Sequence, residues 1–530
     1  MPRTSAADPS QPPAPTPLLA APWLHVAAIA LLLCTPLLLV AMPPLTDLPN
    51  HMVRMMLLAG QLNGSPFASH YRVHWVFVPN LGMDLLVPPL LHVMPPTAAA
   101  KLLVAFVVAG WVGGLGLLGR ALHGRWSPWF LTAAFTAWNF ALLFGFMNYC
   151  LSAMLAFWAT GAWLLLRGRT VSPRALAGLS VLALPLGFVL FVVHLFGAFI
   201  FAAFLGADAL VRAWAARAQA PGRASRLAAA LLPPLPAAAM LGGLYAATRV
   251  LTVGGRTFPE KPSLLWHTVS SAWFSYPVLL GAATGVLLTL VLVAAARAGR
   301  VAVSPAGLVV LLAAIVLGLA MPFAEHGLYY VNVRFQILAG VLASVVFLPA
   351  FARPRAGRLA AAALGAMFIV RLAIMLLAWS RTGPYLRDAR WILDQVPPQT
   401  RLAAVDAQQK PRGLTPWVID GHWPTDYHLP VYLAAISGRF MPALFDAPGQ
   451  QPLEPTQEEA ATEQAQRILT RAFGGQNPRG DLRAALRHFD AILVTSLWRH
   501  APATLLHGHL ALIAARPGIG LYKVLAAPPP

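Results

Sequence analysis

Carboxylates are the scarcest reactive side chains over most of this sequence. Between Ala7 and Arg381 there are six: Asp8, Asp47, Asp84, Asp208, Glu260 and Glu325. A hydropathy walk puts Asp47, Asp84, Glu260 and Glu325 on one side of a membrane. Charge in or beside a bilayer is costly, so ionisable groups gathered at one mouth of a helical bundle mark a functional site. Two stretches are dense enough in polar groups to do chemistry. Asp47 is followed by Asn50, His51 and Arg54, and Glu325 is followed by His326, Tyr329, Tyr330, Asn332 and Arg334. Arg334 opens a helix, where its guanidinium can fork onto a phosphate. Asp84 stands in a run of Leu, Met and Val where an unpaired carboxylate is expensive, so it faces a polar cavity or pairs with Arg54, Arg72 or Lys101. His194 and Arg371 are single polar groups at depth, either lining the same cavity or snorkelling to its edge.

The elements that must position these residues follow from composition. With 530 residues, 58% hydrophobic, 11% charged and a mean hydropathy of +0.65, the chain is a polytopic transmembrane helical bundle with one polar segment attached. After a Pro-rich, disordered leader over 1–17, eleven apolar spans are expected. They fall near 18–42, 98–119, 127–145, 149–166, 175–193, 195–212, 227–247, 276–295, 304–322, 336–351 and 359–379. Every second loop carries arginines, fourteen in all from Arg120 to Arg358, which predicts that those loops and the N-terminus are cytoplasmic. The tail, 380–530, then lies outside, and in a Gram-negative bacterium, which the Ala/Arg-rich composition suggests, outside is the periplasm beyond the inner membrane. Of the net charge of +20, the tail holds only +3. No basic face with interleaved aromatics emerges, which argues against nucleic-acid binding. Cys34 and Cys150 both fall in apolar spans and imply no disulfide framework.

The long first outer loop, 43–97, begins with an amphipathic helix that Asp47 is placed to N-cap and that runs to about Leu62. His51, Arg54 and Leu58 share one stripe and Met52, Met55, Met56, Ala59 and Leu62 crowd the other, so the helix is expected along the membrane surface with its polar edge toward the bundle mouth. Asp47 as a mere cap, with His51 and Arg54 as a wetted face, is the competing reading. In the tail, strand-like runs at 401–405, 488–495, 510–515 and 519–524, with a helix over 454–473, predict a small α/β domain. Its Asp420-Gly421-His422 and Asp426-Tyr427-His428, with His507 and His509, are metal-ligand residue types without a recognised spacing.

This arrangement resembles the GT-C class of integral membrane glycosyltransferases, which take a sugar from a polyprenyl-phosphate donor. The resemblance covers the whole topology and rests on one residue, the Asp just after the first span, here Asp47 in Thr46-Asp47-Leu48-Pro49-Asn50-His51. Carried over, it implies that Asp47 is the general base for an acceptor hydroxyl. Asn50, His51, Asp84, His194, Glu325 and His326 would support the acceptor site, and Arg54, Arg72, Lys101, Arg334 and Arg371 would clamp the leaving lipid phosphate. The acceptor would be an envelope glycan, lipid or protein. No Asp-X-Asp or Asp-Glu pair follows Asp47, so the resemblance leaves a divalent metal open and assigns no ligand for one. Two other readings stay in play. A lipid or solute transporter would show an internal repeat of matched broken spans; the sequence shows none, although the Pro-rich Leu231-Leu232-Pro233-Pro234 breaks the seventh helix. A non-catalytic assembly or sensor protein would use the outer-loop polar residues only as scaffolding.

Overall fold

The computed structural model describes residues 22–525 apart from 170–171, 218–222, 250–270, 299, 326–327, 407–417, 420–422, 425, 443, 446–449, 474–479 and 498–507. The chain opens with α1 (Pro22–Cys34) and a 3-10 turn over Thr35–Leu38. The first long loop folds as α2 (Leu48–Leu58), α3 (Pro66–His70), β1 (Tyr71–Val73) and α4 (Gly82–Leu91). The bundle follows with α5 (Pro96–His123), a 3-10 stretch over Pro128–Thr136, α6 (Phe140–Phe144), α7 (Met147–Arg169), α8 (Pro173–Val193), α9 (Leu195–Arg217), α10 (Arg223–Leu231) and α11 (Leu235–Arg249). It closes with α12 (Val278–Arg297), α13 (Pro305–Ala320), α14 (Val331–Val346) and α15 (Pro354–Ser380). Two short ribbons, β2 (Val301–Val303) with β5 (Phe347–Pro349) and β3 (Ala324–Glu325) with β4 (Leu328–Tyr329), join helix ends.

Among the described residues, six helices are long and apolar enough to cross a membrane, or seven if the α10–α11 pair, bent by 41° at the proline break, is one span. The chain is therefore a multi-pass membrane protein, but the expected eleven spans are not reached by that criterion. Two causes are visible. In the run 18–42 the described α1 ends at Cys34, because Pro36 cannot continue the α-helical ladder and a 3-10 turn follows. The run 127–145 is not one rod. Ser127 accepts from the Trp129 N–H and Asn139 accepts from the Leu142 N–H, so a 3-10 segment and a five-residue helix start separately and Gly145 ends the second. Apolar content alone cannot distinguish that broken path from a continuous span.

Arg371, inside α15, explains how the broken path is tolerated. It donates to the carbonyls of Phe135, Trp273 and Phe274 at 2.6–3.1 Å and to Thr284 Oγ1 at 3.0 Å. Irregular backbone at membrane depth survives only where its polar groups are satisfied inside the protein. The expectation that Arg371 clamps a lipid phosphate gives way to this bonding role.

The tail contributes α16 (Thr382–Leu393), β6 (Leu402–Asp406), β7 (Val418–Ile419), β8 (Trp423–Pro424), α17 (Leu429–Ile436), β9 (Leu453–Pro455), α18 (Gln457–Phe473), α19 (Leu482–Leu486), β10 (Ala491–Leu497), β11 (Leu510–Arg516) and β12 (Gly518–Val524). Its sheet runs β11-β12-β10-β6, with β6 parallel to β10 and the rest antiparallel. Strand alternation divides the sheet's faces. Leu402, Leu493, Ile519 and Leu521 join the core that continues into the bundle. Val405, Ile492, Val494 and Tyr522 form a second small core under α18 and α19. The expected helix from 454 starts at Gln457 instead, because Leu453–Pro455 pairs antiparallel with β1 of the first loop.

That strand pair is one of several joints between tail and loop. A buried, charged joint is Arg54, whose Nε and Nη2 reach the Asp84 carboxylate at 2.8 and 3.3 Å while Nη1 reaches Gln451 of the tail. Both charged side chains are essentially inaccessible. The α2 helix is thus not a surface helix: Asn50 and Arg54 on its polar edge are 0% exposed, because the tail covers that edge. Removing one partner of a buried, bonded ion pair costs about 3–5 kcal/mol, whereas replacing both by apolar groups is often near neutral. Arg54→Met should therefore lower thermal stability in detergent far more than the double replacement of Arg54 and Asp84 by Met and Leu. Equal losses in the two variants would contradict the account.

Candidate functional site

Asp47 is held from behind by a turn. The Thr46 and Asp47 N–H groups donate to the carbonyls of Leu143 and Phe144 at 3.3 and 2.9 Å. Gly145 adopts a left-handed φ of +98°, and a Cβ there would stand 2.8 Å from the Asp47 nitrogen. Only glycine lets the two backbones approach this closely. Asp47 occupies the N-cap position of α2, yet its side chain makes no capping hydrogen bond; the predicted cap is replaced by a different contact.

That contact is His428, from the turn before α17. Its Nε2 lies 3.5 Å from Asp47 Oδ1, and its Nδ1 lies 3.4 Å from Asn50 Nδ2. Asn50 Oδ1 accepts from the Phe445 N–H at 3.0 Å, so the NH₂ end of the amide faces the imidazole. An NH₂ group only donates, so Nδ1 accepts and the proton sits on Nε2, toward Asp47. The Phe445 ring packs between the rings of His51 and His428, with centroids 5.1 and 5.0 Å away.

Electrostatically the pair is neutral-leaning. Asp47 is 8% exposed, and burial pushes its carboxyl well above the usual range. Burial pulls His428 down to about 3. His51 is held well below its ordinary value by burial, then by Arg54, then by His428. No guanidinium neutralises Asp47 among the described residues, because Arg54 is occupied by Asp84, Gln451 and the His51 Nδ1 at 3.2 Å. A raised carboxyl pKa brings the group toward the operating range of a general base.

Arg334 packs on Phe146, at the end of the turn that holds Asp47. Its guanidinium lies 5.2 Å from the Phe146 ring centroid and 5.9 Å from that of Tyr149, and its Nε is buried without a hydrogen-bond partner among the described residues. Tyr330 enters α14 with a left-handed φ of 59°, which is uncommon for an aromatic residue. Its ring is fixed against Phe140, Phe144, Phe146 and Phe323. The same aromatic nest thus orients the start of α14 and the turn behind Asp47.

The other predicted residues scatter. Asp84 takes Arg54, one of the three partners the sequence offered. His194, between α8 and α9, accepts from the Phe196 N–H at 3.0 Å and gives its carbonyl to Ser152. Arg72 is exposed on β1 and Lys101 is half-buried on α5; neither partners Asp47 among the described residues. Glu325 is placed through its backbone, opposite Leu328, and His326 lies outside the described residues, as do Glu260, His422 and His507. Among the described residues no group of three or more His, Cys, Asp or Glu side chains is arranged to hold a metal ion. His428 appeared in the sequence only as a metal-type residue, and Gln451 and Phe445 carried no signal.

In comparison with known proteins, no family model matches the chain, and no curated protein matches it. Among solved structures, the arabinofuranosyltransferase AftD from Mycobacteria is similar over 95% of this chain with 18% identity and a TM-score of 0.43; the chain spans 40% of that protein's length. ArnT from Cupriavidus metallidurans, solved with undecaprenyl phosphate bound, is similar over 96% of this chain and 99% of its own, with 14% identity and a TM-score of 0.48.

Two outcomes follow from the geometry. A carboxyl whose folded pKa is raised binds its proton more tightly in the native state, so stability is lost as pH rises through that pKa. Asp47→Asn should therefore melt at or above the wild-type temperature near pH 7–8, with the difference shrinking as the pH is lowered toward the unfolded value; a large loss at neutral pH would contradict this. Gly145→Ala should displace the Asp47 backbone and lower the melting temperature in detergent while the protein still inserts; an unchanged melt would contradict the close approach.

Proposed function

We propose that this chain transfers a sugar from a polyprenyl-phosphate-linked donor to an acceptor hydroxyl at the outer face of a membrane, with Asp47 as the general base. The observation that carries the reading is a buried carboxyl with no compensating cation among the described residues, held by the turn whose Phe146 packs on a guanidinium with an Nε unpartnered among those residues. Asp47 would take the hydroxyl proton as the acceptor oxygen bonds to the anomeric carbon. The bond from that carbon to the phosphate oxygen breaks, its electron pair going to the phosphate. Negative charge grows on the leaving phosphate, and Arg334 would meet it, held ready by Phe146 and Tyr149. Apolar helix surface facing the bilayer suits a prenyl chain.

Burial speaks against the scaffolding alternative, in which Asp47 would face bulk solvent over a filled bundle. The single broken pair α10–α11 has no matched counterpart among the described residues, which leaves the transporter reading without its expected repeat.

In a reconstituted assay Asp47→Asn should lower transfer by about 10²–10⁴-fold, the usual contribution of a positioned base. Arg334→Gln should lower it by about 10²–10³-fold, as loss of a transition-state donor does. Lipid mass spectrometry of the purified protein should find a polyprenyl-phosphate species. Full activity in Asp47→Asn would remove Asp47 from the mechanism, and full activity in Arg334→Gln would remove the clamp.

A further inference from the structure

Among the described residues the tail closes over Asp47 with the His428 side chain, and that contact is built on both sides. Asn50, fully buried on α2, is locked by the Phe445 N–H on its carbonyl and turns its amide to His428 Nδ1. Phe445 braces the imidazole edge to face. With Nδ1 as the acceptor of the Asn50 amide, the ring proton falls to Nε2, which is aimed at Asp47 Oδ1.

We propose that His428 is a positioning residue for the Asp47 base, its Nε2–H fixing the orientation of the carboxylate and favouring the ionised form. The proposal rests on the reading of Asp47 as a base. The 3.5 Å separation is longer than a formed hydrogen bond, and a movement of about 0.5 Å closes it. Catalytic contacts are often long before substrate binds. A donor to a carboxylate stabilises its charged form and opposes the upward push of burial. His428 is suited to this because burial keeps it neutral down to about 3, so it remains a donor at Nε2 without competing for the acceptor's proton.

The other titratable groups around the pair do not replace it. From α2, His51 is directed to Arg54 and Phe445, and Arg54 to Asp84 of α4 and Gln451 of the tail. From the turn before α17, Asp426 is buried and the Tyr427 ring packs edge to face on His428. The 143–146 turn offers Asp47 only backbone. The consequence is that the site is assembled from the two distant ends of the chain: the tail supplies the group that sets the base.

The test uses the full-length protein and the pH profile of kcat/KM, whose acid limb reports ionisation of the base in the free enzyme. His428→Phe keeps the ring and loses the donor; the limb should move up by about one pH unit. His428→Gln, which can place an N–H near Nε2, should leave the limb within a few tenths of wild type. An unmoved limb in His428→Phe, or equal shifts in both variants, would overturn the proposal; thermal melts of both variants establish that they are folded. A second arm needs no turnover. In the ¹⁵N-histidine spectrum, the imidazole lost in His428→Gln should show a protonated Nε2 and a bare Nδ1 at pH 7, and the opposite tautomer overturns the proposal. Should Asp47→Asn remain active, the base reading fails on that result alone, while the tautomer still judges the contact.

Discussion

The buried fork of Arg54 on Asp84 is the constraint on which the rest of this end of the molecule depends. Both side chains are sealed from water, so neither charge has an alternative partner in solvent, and breaking the pair would strand the other. The geometry fixes α2 against α4, and the third arm of the guanidinium, on Gln451, brings in the tail. Once α2 is fixed, Asp47 at its start and Asn50 and His51 in its first turn have one place to be.

The tail is not an appendage to that arrangement. The β1–β9 pair, the His70 ring stacked on Phe440 with centroids 3.8 Å apart, and Tyr71 bonded to both Glu459 and the Leu444 N–H make the first loop and the tail a single packed unit. That unit excludes water from Asp47, which raises its carboxyl pKa, and delivers the His428 imidazole that faces it. Covering the carboxylate and tuning it are therefore the same structural act.

Within the bundle a different buried arginine does a different task. Arg371 satisfies three backbone carbonyls and a hydroxyl where the path through 135 and 273–274 leaves regular structure. Arg54 and Arg371 looked alike as candidates for an anion, and both are occupied by protein. Arg334 differs because, among the described residues, the Phe146 and Tyr149 rings pack on its guanidinium and its Nε has no hydrogen-bond partner.

Much was legible from the sequence by itself. Hydropathy identified a membrane bundle with a polar tail, and the four tail strands fell close to their observed places. The scarcity of carboxylates singled out Asp47, and the expense of an unpaired charge among Leu and Val required a partner for Asp84, with Arg54 among three choices. These follow from local composition and from the cost of charge in apolar surroundings, which act whatever the rest of the chain does. Only the tertiary structure decided that 127–145 is a broken path, since a buried apolar run reads the same as a rod or as a bend. It alone decided that the tail turns the polar face of α2 into an interior, and that His428, 378 residues beyond Asn50, is the partner of Asp47. Pairings at that separation are set by how helices and sheet pack, and no periodicity within either segment encodes the other.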